Sequence, residues 1–165
     1  MAAVNENPEK IDLQTIMDQA DRHYLASDHK WMLWIWRNIV LLRPTGTWSV
    51  EDTSIYVNIY WNIFDELRKT WPAVFYLIDM NHMEIQTEDF RRYLKDTWAH
   101  LLEREDLGLC FVEAKAMKRL IWGSIFQLIG KRDRLFLFKD FPEAFAWIAG
   151  QPTWQAGRIP GQRPG

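Results

Sequence analysis

The strongest constraint in this sequence is an alternation between short apolar runs and longer segments of helical periodicity. Two aromatic and branched runs come first, at residues 31–37 and 39–43, with Asn38 between them. Such closely spaced runs are typical of an antiparallel strand pair. Residues 51–69 also favour strands by propensity, but their polar side chains recur every three or four positions. That spacing predicts a helix, because here periodicity overrides propensity.

The rest of the domain repeats the order of strand and helix. Further apolar runs, typical of buried strands, lie at residues 73–78, 109–112 and 135–138. Helices are predicted from Thr87, over residues 115–129 and from Asp140 to Gly150. Strands joined by helices pair in parallel through right-handed crossovers. The sequence therefore predicts an α/β fold, an open mixed sheet of about five strands with helices packed on it, in the order β-β-α-β-α-β-α-β-α.

Composition divides the chain into three parts. Residues 1–30 are polar with a weak helical pattern that extends to Tyr24 and Leu25, so we expect an N-terminal helical arm. Residues 31–150 form the predicted α/β domain. Residues 151–165 are rich in proline and glycine, which favour neither a helix nor a central strand, so we expect an irregular C-terminal tail.

Charge and cysteine content exclude several classes of protein. Lys and Arg number 20 against 22 Asp and Glu, a balance that argues against a nucleic-acid partner. A lone cysteine, Cys110, excludes a disulfide framework, and its apolar neighbours predict a buried, inert thiol. The longest apolar runs have six residues, too few to span a membrane. We expect a cytoplasmic protein without a cofactor.

Three segments resemble the SpoIIAA-like, or STAS-like, family. They are the closing strand and helix over residues 134–148, with Glu143, Ala144 and Trp147, the stretch 47–52 before the first long helix, and the strand end at Asp79. The likeness extends over about residues 31–149. It implies a non-enzymatic regulatory fold like that of the anti-sigma-factor antagonists, with lipid-transfer CRAL-TRIO domains as structural cousins.

Thr87 admits two interpretations. Its position before Glu88 and Asp89 predicts a helix N-cap, because the hydroxyl can accept from a free backbone N–H. In the antagonists that the chain resembles, a phosphorylatable serine lies at the start of the helix after an Asp-ended strand. Thr87 lies near the equivalent position after Asp79, although the Asp-Ser pair and the following Gly are missing. The resemblance thus makes Thr87 a phosphoswitch-equivalent.

Asp79, His82 and Glu84 form the sequence's most enzyme-like group. They follow the carboxyl end of a predicted strand, where open α/β sheets bind ligands. A general base or a metal ligand could come from them, but no nucleophile or further ligand accompanies them. We favour loop residues that cap and hydrogen-bond, and predict no catalytic and no metal-binding residue.

Aromatic residues suggest a contact surface. Trp61 is predicted to face away from the isoleucines of the first long helix, and Trp122 and Phe126 to face away from Leu120 and Ile121. Exposed aromatic side chains are typical of interfaces and ligand pockets. The alternative is that the arm or the tail covers these helices.

Charge is also distributed unevenly. Residues 1–106 carry 11 basic and 18 acidic side chains, and residues 107–165 carry 9 and 4, so the two parts have net charges of −7 and +5. A basic cluster that includes Lys115, Lys118 and Arg119 is either a solvated face or a docking site for an acidic partner, such as another subunit.

The sequence is compatible with three functions. The first is a non-enzymatic regulatory or protein-interaction module, self-associating into a homo-oligomer, as expected of a bacterial regulator. The second is a protein that binds a small apolar, lipid-like ligand among its aromatic residues. The third is a small enzyme that uses Asp79, His82 and Glu84.

Overall fold

The chain folds around one mixed sheet whose strands lie in the order of the sequence. The computed structural model describes residues 12–26, 28–84, 88–129 and 135–155. In that part of the chain the sheet has six strands. They are β1 (Arg22–Leu25), β2 (Trp31–Trp36), β3 (Ile39–Pro44), β4 (Val74–Asp79), β5 (Leu107–Val112) and β6 (Leu135–Phe138).

Helices connect or flank these strands. They are α1 (Leu13–Gln19), α2 (Val50–Arg68), α3 (Glu88–Leu101), α4 (Ala116–Ile129), α5 (Phe141–Ala149) and α6 (Pro152–Gln155), and a 3₁₀ turn spans Met80–His82. Of the described helices, none is both long and apolar enough to cross a membrane.

The opening strands are antiparallel and the remaining ones parallel. β2 pairs with β3 so that Trp36 lies opposite Ile39, and the tight turn between them places Arg37 at a positive φ of 54°. β3, β4, β5 and β6 then pair in parallel, in sequence order. The predicted α/β class, with an antiparallel opening pair and parallel crossovers, is confirmed.

The structure corrects the sequence-based prediction at both ends of the described chain. Residues Arg22–Leu25 were expected to continue a helix but form the edge strand β1, so the sheet has six strands rather than about five. The helical pattern there is weak, and pairing with β2 satisfies the backbone where one turn of helix would not. Pro152–Gln155 forms a short helix within the predicted irregular tail.

Two apolar cores lie on opposite faces of the sheet. One face is covered by α2, α3 and α4, with Tyr60, Phe64 and Trp122 among the buried side chains. The other is covered by α1 and α5, with Ile16 and Phe145. Three right-handed crossovers that step in one direction place their helices on the same face, so the other face is left to the terminal helices.

Local signals in the sequence set the helix starts. Ser49 and Asp52 form a reciprocal capping box at the start of α2, as their spacing predicts. Asp140 accepts from the backbone N of Glu143 at the start of α5. Cys110 is buried in β5, as predicted, and burial raises the pKa of its thiol.

The close packing of β5 on β4 makes Gly108 intolerant of a side chain. A Cβ at this position would lie 2.5 Å from Cδ1 of Phe75, whose ring is itself buried. We expect Gly108→Ala to lower the free energy of unfolding by about 1–3 kcal/mol, measured by urea denaturation. Gly123→Ala is the control, because a Cβ there meets no atom within 4 Å. Its effect should be a gain of up to about 1 kcal/mol from helix propensity, and equal losses in both variants would contradict this packing.

Candidate functional site

Two acidic side chains are buried at the carboxyl edge of the sheet. Asp79 ends β4, and Glu113 follows β5 directly. Asp79 Oδ2 accepts from Nε of Arg43 at 2.9 Å, and its Oδ1 accepts from Asn81 Nδ2 at 2.7 Å. Glu113 Oε2 lies 2.9 Å from Nζ of Lys118. Because each buried carboxylate faces a cation, their charges are compensated within the fold.

Hydrogen bonds also join the segments of the chain at this edge. The amide oxygen of Asn81 accepts from the backbone N of Ala114, and Lys118 Nζ donates to the carbonyl of Met80 at 3.3 Å. Arg119 donates to the carbonyl of Glu113 at 2.9 Å. These contacts tie the turn after β4 to the start of α4. Lys118 and Arg119 therefore make contacts inside the fold, and of the three predicted cations only Lys115 is exposed.

The structure does not bring Asp79, His82 and Glu84 together as a reactive group. Asp79 is buried and caps the 3₁₀ turn, while His82 and Glu84 are exposed. Glu84 accepts from the Thr47 hydroxyl at 2.8 Å. Within the described ranges, no three His, Cys, Asp or Glu side chains are arranged to hold a metal ion. The sequence favoured an interpretation in which these residues cap and hydrogen-bond. The geometry of Asp79 and Glu84 agrees with it.

The predicted outward-facing pair on α4 is wrong. Trp122 and Phe126 are 1% and 4% exposed, whereas Leu120 is 68% exposed. Residues 122, 125, 126 and 129 form the buried stripe, at the i, i+3, i+4, i+7 spacing of one helix face. α4 is apolar on most sides, so its sequence pattern left two candidate faces, and burying the larger aromatic side chains removes more apolar surface from water.

Trp61 is half-buried rather than part of an exposed patch. Its ring makes edge contacts with Tyr60 and Phe64, and the Arg104 guanidinium lies 5.8 Å from the ring centroid. Trp61 lies on α2 and Trp122 on α4, and the two do not form one surface. The predicted shared contact surface of these aromatic residues is therefore not present.

A groove between α3 and α4 is the surface that the sequence analysis missed. Its volume is about 350 Å³. The α3 side consists of Glu88, Arg91, Arg92 and Lys95, which recur at i, i+3, i+4 and i+7 and so share one helix face. The α4 side is apolar and consists of Ile125 and Leu128.

Exposed apolar side chains continue this groove along α4. Leu128 is 69% exposed, and Met117 and Leu120 lie on the same outer stripe. We call the groove together with these residues the α3/α4 face. It combines three cations and one carboxylate with large exposed apolar side chains. Such a surface suits an apolar segment that carries negative charge.

Comparison with known proteins found one solved structure with a similar fold. No protein-family model matches the chain, and no curated protein sequence matches it. Among solved structures, it is similar to the crystal structure of an anti-sigma factor antagonist from Mycobacterium paratuberculosis. The likeness covers 75% of this chain and 97% of that chain, with a TM-score of 0.50 and 15% identity. This chain has the fold of an anti-sigma factor antagonist.

The antagonist fold confirms the architecture that the resemblance implied. Thr87, the phosphoswitch-equivalent and N-cap expected before α3, lies outside the described residues, so both roles stay predictions. In this chain the ion pairs of the carboxyl edge lie at the last residue of β4 and at the residue directly after β5.

Because Asp79 is buried against Arg43, its removal should destabilise the protein strongly. We expect Asp79→Ala to lower the free energy of unfolding by about 3 kcal/mol, since a half-buried guanidinium then loses its counter-charge. His82→Ala, at an exposed position three residues on, should change it by less than about 0.5 kcal/mol. Urea denaturation of both variants measures this. Similar losses for the two would contradict the structural role of Asp79.

Proposed function

We propose that this protein is a non-enzymatic regulatory module that associates with a second copy of itself through the α3/α4 face. The fold supports a regulatory role, because the similar structure is that of an anti-sigma factor antagonist, a protein named for its action on another protein. The observation that carries the proposal is the α3/α4 face, where cations of α3 lie beside exposed apolar side chains of α4. A cytoplasmic location is part of the same proposal.

The chain itself offers a complementary surface on α2. Glu51, Ile55, Asn58, Asn62 and Asp65 are exposed on one side of this helix, and Ile55 is 54% exposed. Acidic side chains therefore flank an apolar one on α2, whereas basic side chains lie beside apolar ones on the α3/α4 face. Opposite charges that meet across an interface favour encounter and fix its register. We call this side of the helix the α2 face.

Docking of the α2 face of one copy on the α3/α4 face of another is a contact between unlike surfaces. Such a heterologous contact closes into a ring or continues as a chain, depending on the rotation between copies. Because the charged groups are exposed, salt at several hundred millimolar should weaken it by shortening the range of their attraction.

The basic cluster predicted from the sequence contributes less than expected to such a contact. Lys118 and Arg119 are used at the carboxyl edge, so Arg91, Arg92 and Lys95 supply the positive charge of the α3/α4 face. No catalytic role is proposed for Asp79, His82 or Glu84, because the first is an internal ion-pair partner and the other two are exposed loop residues.

Charge reversal tests this association directly. We expect Arg91→Glu with Lys95→Glu to weaken self-association at least about tenfold, because like charges then face each other, and Glu51→Lys with Asp65→Lys to do the same. The variant with all four substitutions restores opposite charges and should regain association. Sedimentation velocity over a range of protein concentrations and at low and high salt measures each variant.

Asp18→Lys is the control for charge reversal, since it replaces one carboxylate by an ammonium group on α1, on the opposite face of the sheet. It should leave association unchanged. A wild-type protein that stays monomeric at every concentration would contradict self-association. An oligomer that tolerates both charge reversals would contradict the assigned faces.

A further inference from the structure

A groove of about 160 Å³ lies at the amino ends of β4 and β5, on the face of the sheet that α1 and α5 cover. β6 begins at Leu135, opposite Leu109, so Leu107 and Gly108 of β5 extend beyond its described start. The groove is open to solvent, and both polar and apolar atoms contribute to its accessible wall. A molecule that enters it can therefore contact polar groups of the protein.

Three aromatic side chains from different elements line the groove. Phe75 comes from β4, Phe136 from β6 and Trp147 from α5. The ring centroids of Trp147 and Phe136 are 4.2 Å apart, and those of Trp147 and Phe75 are 6.2 Å apart. Phe136 and Trp147 are only half-buried, so part of each ring is accessible. Such rings attract a cation, because their π electrons make the ring faces negative.

The polar side chains of the groove can all accept a hydrogen bond. Glu105 is exposed, and in the part of the chain that the structure describes it is the one charged side chain of the wall. Gln151 donates from its Nε2 to the carbonyl of Trp147 at 3.1 Å, which leaves its Oε1 as an acceptor. The Thr153 hydroxyl can also accept. A carboxylate beside two neutral acceptors favours a ligand that donates hydrogen bonds and carries a positive charge.

The end of α5 adds negative potential at the same place. The helix ends at Ala149, and Gln151 and Thr153 of the groove follow it closely in the chain. Carbonyl groups at the C-terminus of a helix carry a partial negative charge, which stabilises a cation near the last turn. Within α5, which is described throughout, the last turn holds no basic side chain to compensate this charge.

We propose that this groove binds a small organic ammonium ion. The Glu105 carboxylate and the end of α5 stabilise its charge, and its N–H groups donate to Gln151 and Thr153. Its alkyl groups contact the rings of Phe136 and Trp147. A cavity of about 150 Å³ holds benzene, so the groove suits a ligand of about six non-hydrogen atoms. The site lies on the opposite face of the sheet from the α3/α4 face and does not depend on self-association.

Three probes of the same shape and different charge test the proposal. They are tert-butylammonium, tert-butanol and pivalate. Each is titrated into the ¹⁵N-labelled full chain at neutral pH and physiological salt, and the indole Nε1–H signal of Trp147 is followed by NMR, with Trp147→Phe used to assign it. We expect a saturable shift with tert-butylammonium, at least about fivefold weaker binding of tert-butanol, and the weakest binding for pivalate.

Glu105→Gln keeps the shape of the side chain and removes its charge. The affinity for tert-butylammonium should fall about three- to fivefold in this variant, and the affinity for tert-butanol should stay the same. Glu103→Gln is the matched control, because Glu103 is also exposed but does not line the groove. Its effect should be much smaller, since salt screens exposed charges that do not contact the ligand. Urea denaturation verifies that each variant is folded.

Three outcomes would overturn the proposal. The first is the lack of any saturable shift with tert-butylammonium, and the second is equal affinity of the wild-type protein for tert-butylammonium and tert-butanol. The third is a preference for the cation that changes to the same extent in Glu105→Gln and in Glu103→Gln. A loss of that preference in Glu105→Gln but not in Glu103→Gln would support it.

Discussion

The direction in which the crossovers step is the constraint on which this structure depends. β3, α2, β4, α3, β5, α4 and β6 follow one another across the sheet without reversal. Because each right-handed crossover then places its helix on the same face, α2, α3 and α4 form one layer. The strands beneath are buried on both faces, β4 along its whole length, so the other face needs the terminal helices α1 and α5 to cover it.

This arrangement also decides where function can lie. Open α/β sheets bind ligands where the strand order reverses, and the described parallel strands have no such reversal. Their carboxyl edge is instead occupied by Asp79 and Glu113, each beside a cation. A buried carboxylate needs such compensation, so removing either partner would leave an uncompensated charge at this edge. Exposed apolar side chains such as Leu120 and Leu128 lie instead on the helix layer.

Much of the fold could be predicted from short-range signals. The antiparallel opening pair, the parallel crossovers and the capping box at Ser49 all follow from spacing within a few residues. The edge strand β1 could not be predicted in this way. Its four residues have a weak pattern, and they form a strand through backbone hydrogen bonds to β2. The buried face of α4 could not be predicted either. Leu120 and Trp122 lie on two apolar stripes of this helix, and only tertiary packing decides which stripe is buried.

The α3/α4 face could not be predicted from the sequence for a related reason. Lys95 and Leu128 are distant in the chain and come together only in the fold. α3 itself connects this surface with the core. Phe90 and Leu94 are buried on its inner side, while Arg91, Arg92 and Lys95 line the groove on its outer side. Burial of the inner stripe therefore fixes which side of α3 faces the groove.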